Sequence, residues 1–435
     1  MSNAELSVAF FLQMAIIIAT CRLVGWLAKR WLGQPQVVGE MIAGVILGPS
    51  LFGLLAPGLQ GALFPQESRP ILFVGAQMGV GLYMFLVGLG FHRDHFKTNA
   101  HSAAAVSLAG MAAPFLVAVA LAPWLMSQGL FGEGIVTWQA MLFVGAGISI
   151  TAFPMLARII HERGLSGTRL GSLSLAAGAI DDAGAWCVLA VVLASFGDGA
   201  GVAVKAIAGG AAFALFTLIL GPKLLAPLGR MVEREGKVSA NVLGFVLILF
   251  MLSAWMMDAA GIHAVFGGFI LGVAMPRGLL TREIKRQLEP FAVLVLLPMF
   301  FTFSGLNTQL TMVNSWGLAL VTVVILAGSI LAKGGACWAA ARLTGQDNAT
   351  ALGIGALMNA RGLMELIIIN IGLQRGIIGP ALFSMLVLMA IATTLMASPL
   401  FEWVYGRKAR ERGELGALTE VEDDGRPSPQ ATVAA

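Results

Sequence analysis

Long apolar runs alternate along this chain with short polar loops. Thirteen such runs stand out, at about 8–28, 36–54, 71–91, 101–126, 137–161, 168–197, 203–229, 238–258, 262–275, 288–309, 314–343, 350–373 and 381–405. An apolar helix of about 17 to 25 residues suffices to cross the hydrocarbon core of a bilayer. The pattern therefore predicts an all-α polytopic membrane protein with about thirteen transmembrane helices. The ninth run is short and reads as half of a longer irregular segment. From Gly406 the chain turns charged, then rich in proline, serine and alanine, so 406–435 is expected to be a disordered cytoplasmic tail.

Loop charge gives this count an orientation. The odd-numbered loops carry Lys29 and Arg30; Arg93 and Lys97; Arg158, Arg163 and Arg169; Arg230, Arg234 and Lys237; Arg277, Arg282, Lys285 and Arg286; and Arg342. The tail adds Arg407, Lys408, Arg410 and Arg412, while the even loops hold little beyond Arg69, Lys205 and Arg375. Basic residues are retained on the cytoplasmic side. The N-terminus is thus expected outside and the C-terminus in the cytoplasm; an even helix count would break the alternation.

Composition agrees with the pattern. Of 435 residues, 58% are hydrophobic and only 11% charged, where a soluble domain has about 25% charged residues. The net charge of +4 lies in short loops and is no nucleic-acid signal. Cys21, Cys187 and Cys337 all fall in apolar runs without metal spacing and read as small hydrophobic fillers. No basic start precedes the first run, which is too long for a signal core and ends in Ala28-Lys29-Arg30, so it reads as a spanning helix. The 54 glycines fit helices that approach closely in lipid.

Candidate chemistry sits where the apolar pattern is violated. Asp181 and Asp182 are adjacent in the sixth run, and ionisable groups at membrane depth mark ion or proton pathways by default. The fifth run is interrupted by Gly145, Gly147, Ser149, Thr151 and Pro154, and the twelfth by Gly353, Gly355, Asn359, Arg361, Gly362 and Glu365. These runs are seven helices apart and so antiparallel. Two broken helices in opposed halves point to an inverted-repeat transporter with a site at the midplane. Lys333 lies in the eleventh run, where a lone lysine would lose its proton or reach for the interface; an aspartate of the sixth run is the obvious partner. Arg361 and Glu365, at i,i+4, can meet on one helix face and offset the charged ends of the second break, or form a purely structural pair. Glu40 is expected near the cytoplasmic surface and His263 at an outer helix end. His92, His95, His101 and His161 read as solvated loop residues.

With these residues in hand, the chain resembles the monovalent cation–proton antiporter superfamily, in its sodium/potassium–proton exchanger branch. The stretches that carry the likeness are Gln36-Val-Val-Gly-Glu-Met-Ile-Ala-Gly-Val-Ile-Leu-Gly-Pro49, Ala179-Ile-Asp-Asp-Ala-Gly-Ala-Trp186 and Met358-Asn-Ala-Arg-Gly-Leu-Met-Glu-Leu-Ile-Ile-Ile-Asn-Ile-Gly372. The last is similar to plant and fungal cation/H+ exchangers, and the whole to Kef-type membrane domains. The resemblance implies a dimeric transporter, not an enzyme, with no cofactor. Its core would comprise spans 4–6 and 11–13 (about 101–197 and 314–405), with broken helices 5 and 12 crossing inside it. The dimerisation part would comprise spans 1–3 and 8–10 (about 8–91 and 238–309), and 203–229 would link the two. The soluble nucleotide-binding domain of some potassium-efflux relatives is not expected here, because the tail is short and polar.

By the family pattern Asp182 is the principal ligand of the transported Na+ or K+, and Asp181 the partner of Lys333. Neighbouring helix residues point about 100° apart, so the two carboxylates cannot face one partner equally. Ser149 and Thr151 hydroxyls, with freed backbone carbonyls, are candidate further ligands, and Asn359, Arg361 and Glu365 complete the expected site. A carboxylate that holds either a proton or a cation couples the two fluxes by competition. If Asp181 and Lys333 also exchanged protons, transport would be electrogenic. The expected partners are Na+ or K+, H+, lipid and a second copy of the chain in a bacterial inner membrane. A cation channel is the alternative. An intramembrane aspartyl protease fits poorly, because adjacent aspartates on one helix do not readily share a water.

Overall fold

The computed structural model describes residues 2–34, 36–90, 93–165, 168–193, 200–260, 264–308 and 315–411. The described chain is helical nearly throughout. In order run α1 (Asn3–Leu32), α2 (Gln36–Leu47), the short α3 (Phe52–Leu55) and α4 (Pro57–Leu63), α5 (Arg69–Gly90), α6 (Arg93–Ser127), α7 (Thr137–Ser149), α8 (Phe153–Glu162), α9 (Arg169–Leu193) and α10 (Ala200–Ile219). There follow α11 (Gly221–Glu235), α12 (Ala240–Ala260), α13 (Ala264–Ala274), α14 (Leu279–Phe291), α15 (Leu297–Leu306), α16 (Trp316–Leu343), α17 (Asn348–Leu357), α18 (Leu363–Gln374), α19 (Pro380–Phe401) and α20 (Arg407–Glu411).

Local chemistry sets the ends. Ser2 and Glu5 form a reciprocal cap on α1, whose last turn carries Lys29 and Arg30 against the negative helix end. Gly33 then stops α1 in the left-handed conformation at φ 60°. Ser315 caps α16 by accepting from the Leu318 amide at 3.2 Å.

Among the described residues, eight helical stretches are long and apolar enough to cross a membrane, and a ninth span is made if α11 continues α10 through a 42° bend. They correspond to runs 1–4, 7, 8, 10, 11 and 13. Helix also occupies the other four: run 9 is the short α13, run 6 is α9 with its two aspartates, and runs 5 and 12 are each two half-helices. Residues 150–152 separate α7 from α8, and residues 358–362 separate α17 from α18. The breaks meet: the Ala152 amide donates to the Ala360 carbonyl at 3.0 Å. Broken backbone at this depth needs such internal partners, because lipid offers none.

Two expectations are corrected. The loop expected around Arg93 and Lys97 is the first part of α6. The tail expected from Gly406 stays helical to Glu411, through a π-helical turn at Glu402–Gly406 and α20. Local ion pairs explain the second extension, with Lys408 3.6 Å from Asp347 and Arg410 3.5 Å from Glu402, over a buried Ala409. Residues 412–435, His92 and His263 lie outside the described residues, as do the side chains of His95 and His161. His101 is exposed, as a solvated histidine should be.

The helices pack in two sets. In one, α2 lies between α1 and α15, and α5 between α13 and α15, with α12 on α13. In the other, α6 packs on α7, α9 and α16, while α17 and α19 pack on α16, and α18 on α7 and α19. α10 touches both sets, through α9 on one side and α12 and α13 on the other. The first set is held by backbone approach. A Cβ added at Gly44 would strike the Phe301 carbonyl on α15, and one at Gly305 would strike the Gly44 carbonyl on α2. Neither obstacle is a side chain that can turn away. A Gly44→Ala variant is therefore expected to lose about 1–3 kcal/mol, read as a lower unfolding temperature in detergent. Gly335→Ala, on an open helix face, should be neutral or slightly stabilising.

Candidate functional site

α9 brings Asp181 and Asp182 into the second helix set, where their exposures are 0% and 2%. The two carboxylates have different surroundings. Asp181 is saturated. Lys333 of α16 places its Nζ 2.8 Å from Oδ2, Thr151 donates to Oδ2 at 2.7 Å, and Ser107 of α6 donates to Oδ1 at 2.6 Å. Lys333, itself 0% exposed, also donates to the Gly110 carbonyl at 3.3 Å and to the Ser149 carbonyl. Its three N–H donors thus have three acceptors. Asp182 takes no part in this network. Its Oδ1 is buried without a hydrogen-bond partner among the described residues.

The broken helices supply the rest. Where α7 ends, three carbonyls are released, and cations meet all of them. Ser149 O accepts from Lys333, Ile148 O from Arg361 at 2.6 Å, and Gly147 O from Arg361 at 3.4 Å. The negative end of a half-helix thus faces two positive side chains. Arg361 also donates to the Ser329 hydroxyl. Thr394 fixes the second break by accepting from the Arg361 amide at 3.1 Å and lying 2.7 Å from the Arg361 carbonyl. Glu365 falls in the first turn of α18, at that half-helix's positive end.

Each expected site residue can now be placed. Asp181 and Lys333 pair directly. Thr151 donates to Asp181, with the Met358 carbonyl as a second acceptor at 3.0 Å, and its hydroxyl oxygen keeps two lone pairs. The Ser149 hydroxyl donates to Ala146 O at 3.3 Å, and the Ser149 carbonyl accepts from Lys333. Asn359 donates to Gly355 O at 2.9 Å, while its Oδ1 is buried without a partner among the described residues. Arg361 and Glu365 come within 3.6 Å, but not on one helix face: Arg361 lies in the break, ahead of Gly362 and α18. Arg361 donates to two carbonyls of α7 and to Ser329 of α16, and both Glu365 oxygens are buried without a hydrogen bond among the described residues. Glu40, in the second turn of α2, is buried, with Gln36 donating to it at 3.3 Å. Cys21 and Cys337 are buried fillers; the side chain of Cys187 lies outside the described residues.

Ser107 was not legible in the sequence. Its only mark there is a hydroxyl inside an apolar run, and serines in such runs commonly bond their own helix. Only the packing of α6 on α9 turns it toward Asp181.

The chain is similar in sequence to known proteins. A family model described as sodium/hydrogen exchanger, transmembrane, matches residues 16–405. The Na+/H+ antiporter NhaS4 of Synechocystis sp. is 38% identical over 395 residues, covering 90% of this chain and 96% of the relative. The K+/H+ antiporter 1 of Saccharomyces cerevisiae is 32% identical over 429 residues, covering 96% of this chain and 48% of the relative, so the chain spans about half that protein's length. The Na+/H+-K+ antiporter GerN of Bacillus cereus is 27% identical, over 92% of this chain and 97% of its own.

Removing one member of a buried pair leaves the other uncompensated, at about 3–5 kcal/mol. Lys333→Ala should therefore lower the unfolding temperature markedly. Adding Asp181→Ala should recover much of the loss, and a double-mutant cycle in detergent measures the coupling.

Proposed function

Because the chain belongs to the sodium/hydrogen exchanger transmembrane family, we propose that it is a secondary antiporter that exchanges a monovalent cation, Na+ or K+, for protons at Asp182. The observation that carries the assignment is the asymmetry of the two aspartates. Asp181 has an ammonium and two hydroxyls around it, whereas Asp182 has an open carboxylate oxygen. A buried carboxylate without a partner is costly unless it holds a proton or a cation. Either occupant satisfies Asp182, and the two compete for it. Na+ and K+ favour oxygen ligands, which the carboxylate and backbone carbonyls freed at a broken helix can offer.

In this reading Asp181 and Lys333 hold each other in place, and Arg361 holds the end of α7. Glu365 balances Arg361 and the start of α18. The helix set of α6–α9 and α16–α19 is the moving core. The set of α1, α2, α5 and α12–α15 is the scaffold, through which two copies of the chain associate, and α10 links the two. The protein resides in a bacterial inner membrane with its N-terminus outside and its C-terminal end in the cytoplasm. Relatives named for Na+/H+, K+/H+ and Na+/H+-K+ exchange support a monovalent cation as the cargo. Neither a channel nor a protease is favoured beside them.

The test uses proteoliposomes with an entrapped pH dye. Adding Na+, K+ or Li+ in turn should dissipate an imposed pH gradient with at least one of them. Asp182→Asn should reduce that flux to the level of empty liposomes, and near-normal exchange by this variant would sink the assignment. Flux driven against a cation gradient by an imposed pH step separates an antiporter from a channel.

A further inference from the structure

One cluster of polar contacts lies away from the aspartates and joins the two helix sets. Arg163 stands in the turn directly after α8. Its guanidinium is anchored within its own set, donating to Glu402 Oε1 at 3.0 Å and to the Ser398 hydroxyl at 2.5 Å. With the same Nη2 it reaches across to the other set and donates to the Gly33 carbonyl at 2.8 Å. The neighbouring residue reaches the opposite way. Gln34, only 5% exposed, donates through Nε2 to the Leu395 carbonyl on α19 at 3.1 Å. The two bonds are reciprocal: each set contributes one donor side chain and one backbone acceptor. Glu402 is in turn 3.5 Å from Arg410 of α20, so the helical extension past Gly406 supports the anchor.

The acceptors are well prepared. Gly33 ends α1 with φ at +60°, a conformation that L side chains rarely adopt. This turn places two consecutive residues, Gly33 and Gln34, against the other set. Residues 33–34, Arg163 and the end of α19 are remote in sequence. All three lie in the first loop, the fifth loop and the chain's last helical stretch, the segments assigned to one side of the membrane by their basic residues.

We propose that Arg163 and Gln34 form the gate that closes this face of the transporter, and that both bonds break once in every transport cycle. The proposal rests on the antiport reading above, since alternating access requires each face to open in turn. Hydrogen bonds between a moving set and a fixed one, at one face, cannot persist when that face opens. Arg163 suits the task because its other bonds stay within its own set. When the gate parts, its charge keeps Glu402 and Ser398 as partners and is never left bare.

The test places cysteines at the two sides of the seam, Gln34→Cys with Ser398→Cys, in full-length protein whose Cys21, Cys187 and Cys337 are replaced by alanine. Linking the pair, by oxidation or with a short bifunctional thiol reagent, should abolish cation-driven proton flux in proteoliposomes, and reduction should restore it. Undiminished flux in the linked protein would overturn the gate. Absence of flux even in the reduced protein, with the parent chain also inactive, would instead strike the antiport reading. Arg163→Ala supplies a second, independent readout. Fewer bonds then hold the face shut, so the open population rises and apparent affinity rises with it. In vesicles of uniform orientation its KM for the cation should fall several-fold at this face and rise at the other, with faster amide exchange at residues 33–36 and 395–398. Unchanged KM values at both faces and unchanged amide exchange would overturn the proposal.

Discussion

Lys333 and Asp181 place opposite charges 2.8 Å apart where neither is exposed to solvent. Removing two ions from water costs several kcal/mol each, and their attraction repays this only when every remaining donor and acceptor is also satisfied. Here that condition is met from three directions around α16. Ser107 comes from α6, Thr151 and the Ser149 carbonyl from the first break, Gly110 from α6 again, and Asp181 from α9. The pair therefore dictates where α6, α9, α16 and the α7–α8 break must lie relative to one another. A shift of any of them would leave a buried charge or dipole without its partner.

The broken helices follow from the same constraint. An unbroken α7–α8 helix would keep the carbonyls of residues 147–149 in its own ladder. Breaking it at residues 150–152 frees them for Arg361 and Lys333. The cost of interrupting backbone at membrane depth is offset by cations that themselves need acceptors there. The second break adds an amide–carbonyl bond to the first and is pinned by Thr394. Beside the saturated Asp181–Lys333 pair, the Asp182 Oδ1 has no hydrogen-bond partner among the described residues, as is also true of Asn359 Oδ1 and both Glu365 oxygens. For the proposed exchange at Asp182, an oxygen left unfilled by protein donors is an advantage, since any permanent partner would compete with both proton and cation.

Motion is compatible with this rigidity because the network is confined to one helix set. The other set is knit by backbone contact, as at Gly44 and Gly305, where no side chain can yield. Two internally stiff bodies then meet across a seam in which a few polar contacts, such as those of Arg163 and Gln34, can part at small cost. In the proposed transport cycle, such a division would let the aspartates change sides without disturbing the groups that hold them.

Class and ingredients are written in the order of the residues. Apolar runs too long for a soluble core, with basic loops on alternate sides, leave only helices in a bilayer, because lipid cannot satisfy an open backbone. Asp181, Asp182, Lys333 and Arg361 were legible for the same reason: a charge inside an apolar run stands out without any knowledge of its neighbours. Ends were less legible. The α6 helix begins earlier and the last helix runs later than hydropathy suggests, because polar residues such as Lys408 and Arg410 extend a helix through ion pairs that no apolar window registers. Which polar groups meet is settled by packing alone. Ser107 and Asp181 are 74 residues apart, and Gly33 and Arg163 are 130 apart. Hydroxyls and carbonyls carry no net charge to betray them in an apolar run. The unequal surroundings of two adjacent aspartates likewise arise from packing, since on one helix they differ only by a turn of about 100°, and it is the neighbours met at each angle that make one a fixture and leave the other open.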